Sequence, residues 1–396
     1  MQFSLKSSVS ITLLFAAASL FATACKSRRF GESGSSPDSL ADPHKLPATG
    51  PWFEGWYVRM TPTSGTDRSL GAIVGSYLPP GERRSAKEET GLSGYAAILD
   101  GGSAGSALRS FEAFPNNSRL FLNTSDAVNR DPAPGGPASF RWASEGVGEF
   151  TAEGLNLNLP DGASLKARWH DVAPWSASGL GPEGIISLFR AFPLHWFVYS
   201  VRSKVDFDAV LPDPSASGKF QHVTGSGFAH FEKNWGVAFP ASYVWMQAYN
   251  SEQNRSLALA GGTPIRVGPD GPEAWLVGYR SALYNQDFAP QNIGTFYESV
   301  IDGCKGSFSL TSSFLDRRLV VTAQAERPSF GGIAIPKESG FEKNGSEQSF
   351  QTKITAQLFE VTPLSPSRAG DRLLEQTVFA AGALEFGAGY KCPNQQ

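Results

Sequence analysis

Residues 225–250 read GSGFAHFEKNWGVAFPASYVWMQAYN, two strand-like runs on either side of one turn. Phe228, His230 and Glu232 alternate with Ala229 and Phe231, the two-residue period that sends side chains to opposite faces of a strand. Gly236 and Pro240 bracket the turn, since glycine tolerates positive φ and proline fixes φ and withdraws a donor from any ladder. In the second run Tyr243, Trp245, Gln247 and Tyr249 share one face, aromatic with a single amide, opposite Val244, Met246 and Ala248. Between the runs stand Glu232, Lys233, Asn234 and Trp235: an acid, a base, an amide and an indole in successive positions. Charges beside so much apolar surface must be paired or solvated, because an isolated buried charge is costly or shifts its pKa. Two roles are open to them. They can occupy opposed faces of a hairpin with Trp235 in the core, or form a proton-handling group at the rim of an apolar pocket.

The same alternation recurs outward in both directions, at Ser69–Tyr77, Tyr95–Leu99, Ser139–Trp142, Gly154–Leu159, Ser164–Trp169 and Trp196–Val210. It continues at Ser256–Ala260, Ala274–Tyr284, Gly306–Ser313, Leu319–Ala325, Ser349–Glu360 and Leu374–Leu384. No long amphipathic helix interrupts it, and 42 Gly and 27 Pro in 396 residues supply the turns. The pattern predicts an all-β chain of antiparallel sandwiches or barrels. Charged residues make up 18% of the chain and the net charge is -3. Without a basic stripe, no nucleic-acid partner is expected.

Residues 1–24 hold Lys6, an apolar run from Val9 to Phe21 and then small residues, the layout of a secretory signal peptide too short to span a membrane. Ala22-Thr23-Ala24-Cys25 resembles a bacterial lipobox, which predicts lipidation of Cys25; ordinary cleavage nearby, with Cys25 incidental, is the alternative. Lys26 follows where an Asp would retain a lipoprotein at the inner membrane. The expected address is therefore the periplasmic side of the outer membrane, reached through a lipid anchor. Residues 25–50, rich in Ser, Gly, Pro and charge, read as a tether. Cys304 and Cys392 remain and can pair as one disulfide in an exported chain. The five histidines show neither an H-x-H nor an H-E-x-x-H arrangement, so neither a metal nor a cofactor is expected.

Residues 231–250 resemble the signature of the tocopherol cyclase family and its bacterial relatives, an E-K-N-W-G run followed by F-P and an aromatic W-x-Q strand. Pro51-Trp52-Phe53-Glu54-Gly55-Trp56-Tyr57-Val58-Arg59 resembles the family's opening motif, and Ala383-Leu384-Glu385-Phe386-Gly387 its closing one. The stretch Gly179–Tyr199, with Gly181-Pro182 and Phe192-Pro193-Leu194-His195-Trp196, is similar to the family's segment before the central motif. The resemblance implies two lipocalin-like antiparallel β-barrel or sandwich domains, residues 51–215 and 216–396, with the EKNWG motif opening the second. The boundary is expected in Asp213–Lys219, where Pro, Ser and Gly cluster. The chain departs from the family at the polar Ser251-Glu252-Gln253-Asn254, and the loops Pro79–Gly91 and Pro328–Glu347 are peculiar to it.

A β-barrel can enclose one small ligand in an apolar cavity with a few convergent polar groups. The resemblance implies an apolar ligand, a prenylated hydroquinone or related lipid, bound by a monomer. Trp56, Trp196, Trp235, Tyr243, Trp245, Gln247 and Asn250 are the expected binding residues, with Trp52, Phe53 and His195 as further lining. The family reaction closes the hydroquinone to a chromanol by adding the phenol across the nearest prenyl double bond. That chemistry requires an acid, aromatic faces for a tertiary cation, and a base for the phenol. A carboxyl in an apolar pocket can stay protonated and serve as the acid, which points to Glu232 or Glu54, with Lys233 and Asn234 beside them. Glu54 can instead pair with Arg59 or Lys233. The alternative function is a lipocalin-like lipoprotein that carries an apolar molecule unchanged; prenyl-chain hydration and surface carbohydrate binding rank lower.

Overall fold

The computed structural model describes residues 49–393 apart from 64–67, 84–90, 104, 123–139, 177–178, 189–192, 264–272 and 364–369. The expected signal peptide, Cys25 and nearly all of the tether lie outside the described residues.

One sheet is built from β1 (Trp52–Pro62), β2 (Leu70–Leu78), β3 (Ser93–Asp100), β4 (Arg109–Ala113), β5 (Arg119–Leu122), β6 (Phe140–Ser144), β7 (Gly148–Thr151), β8 (Gly154–Asn158), β9 (Ser164–Ala173), β10 (Leu194–Pro212) and β11 (Phe220–Gly236). Its order is β4-β3-β2-β1-β11-β10-β9-β8-β7-β6-β5. The other takes β12 (Ser242–Asn250), β13 (Arg255–Thr263), β14 (Ala274–Arg280), β15 (Asn285–Phe288), β16 (Phe296–Asp302), β17 (Ser307–Phe314), β18 (Arg317–Gln324), β19 (Gly331–Lys337), β20 (Gly340–Glu360) and β21 (Arg372–Ala388). Its order is β15-β14-β13-β12-β21-β20-β18-β17-β16, with β19 paired to β20. Every strand pair is antiparallel, and the two sheets are the two lipocalin-like β-units expected.

Each sheet curls on itself. In the first, Trp142 on β6 reaches across the interior and donates from Nε1 to Gly75 O of β2 at 3.2 Å, and Trp56 stacks on Phe140 with ring centroids 4.7 Å apart. In the second, Tyr297 on β16 donates to Trp275 O of β14 at 2.9 Å. The curl follows from strand patterning: Trp56, Val58 and Met60 point into one core while Phe53, Tyr57 and Arg59 point to the other face. That second face meets the second sheet along an aromatic seam holding Tyr57, Tyr95 and Trp196 against Tyr243, Trp245 and Phe350.

Two expectations are corrected here. The EKNWG strand does not open the second unit, because β11 is clasped between β1 and β10 in the first sheet. Residues 213–219 form only the turn of the β10–β11 hairpin, and the chain changes sheets at Val237–Ala241. For the same reason 225–250 is no hairpin: β11 and β12 lie in different sheets. Both readings failed because a turn with Gly and Pro looks alike whether it reverses a strand or carries it across a seam. The second correction concerns Pro328–Glu347, which is not a loop. It contains β19 and the start of β20, with Ile333, Ala334 and Ile335 buried in the seam.

Cys304 and Cys392 form a disulfide that ties the C-terminal tail to the strand hairpin β16–β17 across a separation of 88 residues. Cross-linking a loop of that size removes denatured-state entropy worth about 4–5 kcal/mol in the chain-entropy account. Reduction is expected to lower the urea midpoint by a large fraction of the total stability, and a Cys304→Ser, Cys392→Ser chain should match the reduced wild type.

Candidate functional site

The seam between the sheets encloses a cavity of about 580 Å³. Gly55 stands directly opposite Gly75 in the β1–β2 ladder, and both line the cavity, so the wall is hollow where two side chains would have projected. Phe53, Tyr95, Trp196, Tyr243, Trp245 and Phe341 supply its aromatic surface, and β19 closes one side with Ile333 and Ile335.

Strand alternation splits the EKNW motif. Glu232 and Asn234 face the seam and line the cavity. Lys233 and Trp235 face the interior of the first sheet, where Lys233 Nζ donates to Glu54 Oε1 at 2.9 Å and lies 4.7 Å from the Trp235 ring centroid. Both partners of that ion pair are fully buried. Glu54, Lys233 and Trp235 are therefore brought together, but behind the cavity wall. Trp56 borders the cavity while its ring stacks on Phe140 in the same inner core, with Nε1 donating to Tyr199 Oη at 3.1 Å. Gln247 lies in the seam beyond the cavity lining and accepts from Arg59 Nη1 at 2.9 Å. Arg59 also donates to Ser69 Oγ and to Ala381 O, and so bolts the two sheets together. Asn250 is remote from the cavity: its Nδ2 donates to Val378 O and its Oδ1 accepts from Gln253 N at the β12–β13 turn.

The polar floor of the cavity comes from five strands, β1, β11, β12, β20 and β21. Glu232 Oε2 lies 2.8 Å from His230 Nε2 and accepts from Trp245 Nε1 at 3.0 Å. Tyr243 Oη donates to Glu385 Oε1 at 2.5 Å, and Gln348 Nε2 donates to Glu385 Oε2 at 3.1 Å. Trp245 meets Tyr57 edge-on with centroids 5.0 Å apart. Burial drives the Glu385 carboxyl up from 4.5 to about 7; its hydrogen bonds oppose this and the neighbouring Glu232 adds to it. Burial likewise pushes the Tyr57 phenol well up, opposed by Arg59 and reinforced by Glu232 and Glu385. The floor thus holds two carboxyls whose surroundings differ, one of them, Glu385, pushed up to about 7 by burial. Glu385 can therefore donate a proton near neutral pH.

At the mouth, Glu183 in the loop before the 3-10 turn Gly184–Leu188 holds β10 by two bonds. Its Oε2 lies 2.8 Å from His195 Nδ1, and its Oε1 accepts from Trp196 N at 2.7 Å. His195 in turn stacks on Trp235, 4.9 Å between centroids, so its ring supports the wall.

Glu385, Tyr57 and Glu183 were not assigned roles from the sequence. Glu385 had a signal, since it lies in the closing motif between Leu384 and Phe386 and so points away from the core those two fill. Gly387 explains the rest of that motif: a Cβ there would fall 1.8 Å from Tyr243 Cε1, so only glycine leaves room for the ring that binds Glu385.

No protein-family model matches the chain, and no curated protein matches it. Among solved structures, the chain is similar to CghA with Sch210972, at a TM-score of 0.52 and 10% identity over 89% of this chain and 95% of that one. A second CghA structure aligns at a TM-score of 0.50 and 11% identity, covering 89% and 91% of the two chains. A structure described as an AttH of Nitrosomonas europaea aligns at a TM-score of 0.46 and 10% identity, covering 90% and 100%. At these identities the likeness to CghA is one of fold.

Proposed function

We propose that this chain is a tocopherol-cyclase-like protein that binds a prenylated hydroquinone in the seam cavity and closes it to a chromanol. The observation that carries the reading is Glu385, a carboxyl held near a pKa of 7 against an aromatic cavity. Glu385 replaces Glu232 and Glu54 as the acid, because Glu54 lies behind the wall in an ion pair with Lys233. In the proposed step protonated Glu385 gives its proton to the less substituted alkene carbon, and the π bond breaks. Trp245, Tyr57 and Trp196 face the tertiary cation, which ring quadrupoles stabilise. The phenol oxygen bonds to the tertiary cationic carbon and Glu232 accepts the phenol proton. The product is an isomer of the substrate, and the two carboxyls exchange one proton through solvent to reset.

Fold likeness to CghA, solved with Sch210972, does not choose the reaction. Export and lipidation at Cys25 belong to the same proposal, supported by the apolar run from Val9 to Phe21 and by a disulfide suited to an oxidising compartment.

Incubation with a prenylated hydroquinone, followed by Trp fluorescence and mass-resolved chromatography, tests the proposal. The expected result is quenching together with a product of unchanged mass and new retention. A product heavier by one water would make the protein a hydratase, and quenching without product would make it a carrier.

A further inference from the structure

The charge of the cavity lining goes beyond what cyclisation of a neutral molecule needs. Among the described residues that line it, Glu183, Glu232, Glu273, Glu338 and Glu385 are acidic, and no lysine or arginine joins them. The cations nearest the floor do not line it: Lys233 holds Glu54 in the inner core, and Arg59, whose charge acts on Tyr57, directs its Nη atoms to Gln247, Ser69 and Ala381. Tyr57 lines the same floor and is 8% exposed; its Oη lies beside the Gln348 amide, and among the described residues neither Tyr57 Oη nor Gln348 Oε1 meets a partner in good hydrogen-bond geometry. A buried hydroxyl and a buried amide oxygen left unmade each cost free energy unless a ligand satisfies them.

We propose that the seam cavity is a binding site for apolar amines, with the protonated amine seated on the floor among Tyr57, Glu232 and Glu385 and its hydrocarbon body toward the mouth. Tyr57 Oη accepts from the ammonium, the carboxyls balance its charge, and Trp245 and Tyr243 offer ring faces to it. The same lining repels carboxylates and phosphates, which excludes fatty acids and prenyl diphosphates. The inference stands on the cavity and its charges and does not require turnover.

Glu385 gives the site a pH signature. The groups around it are Glu232 with His230 on β11, Tyr57 with Arg59 on β1, Tyr243 on β12 and Gln348 on β20. A cation favours the ionised carboxyl, so amine affinity rises with pH through the region where Glu385 loses its proton. Acid catalysis by the same group falls over that interval.

The test uses three probes sharing one farnesyl-type chain, an amine, an alcohol and a carboxylate, titrated against the purified chain by Trp fluorescence at pH 6 and pH 8. The expected result is amine binding about tenfold tighter at pH 8 than at pH 6, an alcohol affinity that does not change, and a carboxylate weaker than both. Glu385→Gln should abolish the amine's pH dependence. Tyr57→Phe should weaken the amine several-fold with little change in the thermal midpoint, because its hydroxyl meets no partner in good hydrogen-bond geometry in the protein. A carboxylate that binds as tightly as the amine, or an amine affinity equal at the two pH values in the unaltered chain, overturns the inference. Chromatography of the hydroquinone incubation reads turnover separately, so loss of the cyclase reading leaves this result interpretable.

Discussion

Glu385→Gln is expected to lower the cyclisation rate by about two to four orders of magnitude, the contribution of a positioned general acid, with little change in ligand affinity for a neutral substrate. The amide keeps the shape and can still accept from Tyr243 Oη, so the cavity survives while the transferable proton is gone. In the unaltered chain the rate should fall as pH rises through about 7, where Glu385 ionises. The same residue should leave a mark on stability, with a definite sign. Its folded pKa is raised above the ordinary 4.5, so the folded state holds the proton more tightly than the unfolded one. The stabilising contribution is complete below pH 4.5 and is lost as pH rises to about 7, a change of about 3 kcal/mol. Urea midpoints measured from pH 4 to 8 on the unaltered chain and on Glu385→Gln should differ by that slope. Equal rates in the two proteins would remove Glu385 from the chemistry.

The second large effect concerns stability and separates Glu54 from Glu385. Lys233→Met removes one member of a fully buried ion pair and leaves the Glu54 carboxylate in the inner core without that cation. Breaking such a pair from one side costs about 3–5 kcal/mol, whereas replacing both partners by apolar groups is near neutral. Glu54→Leu combined with Lys233→Met should therefore recover most of the stability lost by either single change, a coupling read directly from a double-mutant cycle of urea midpoints. Turnover per folded molecule should be preserved in the double variant. A turnover loss matching that of Glu385→Gln would return Glu54 to the active site.

The motif residues show how far a sequence carries. Alternation alone places Glu232 and Lys233 on opposite faces, and both the cavity position of Glu232 and the aromatic face of Tyr243 and Trp245 agree with it. It does not say which face meets a cavity and which a core, because both are lined with large rings. Trp235, expected in the pocket, lies beside Lys233 in the first sheet's core, while Trp56 borders the cavity with its ring stacked on Phe140. Gln247, one amide among rings, is bound by Arg59 from the other sheet, a partner 188 positions away.

The sequence by itself determined the β-architecture, the disposition of strand faces, the cysteines available to pair and the three motifs from which the site is drawn. Those depend on local chemistry: a two-residue period, glycine and proline at turns, the rarity of charge among apolar neighbours. Only the tertiary structure decided that β11 belongs to the first sheet, that Pro328–Glu347 folds as a strand and closes the cavity, and that Glu385 is the carboxyl raised toward neutrality. Strand partners, burial and the charges around a carboxyl are set by segments brought together from far apart in the chain. A pKa depends on what those segments place around the group, so no inspection of Glu385 and its neighbours in sequence could have found it.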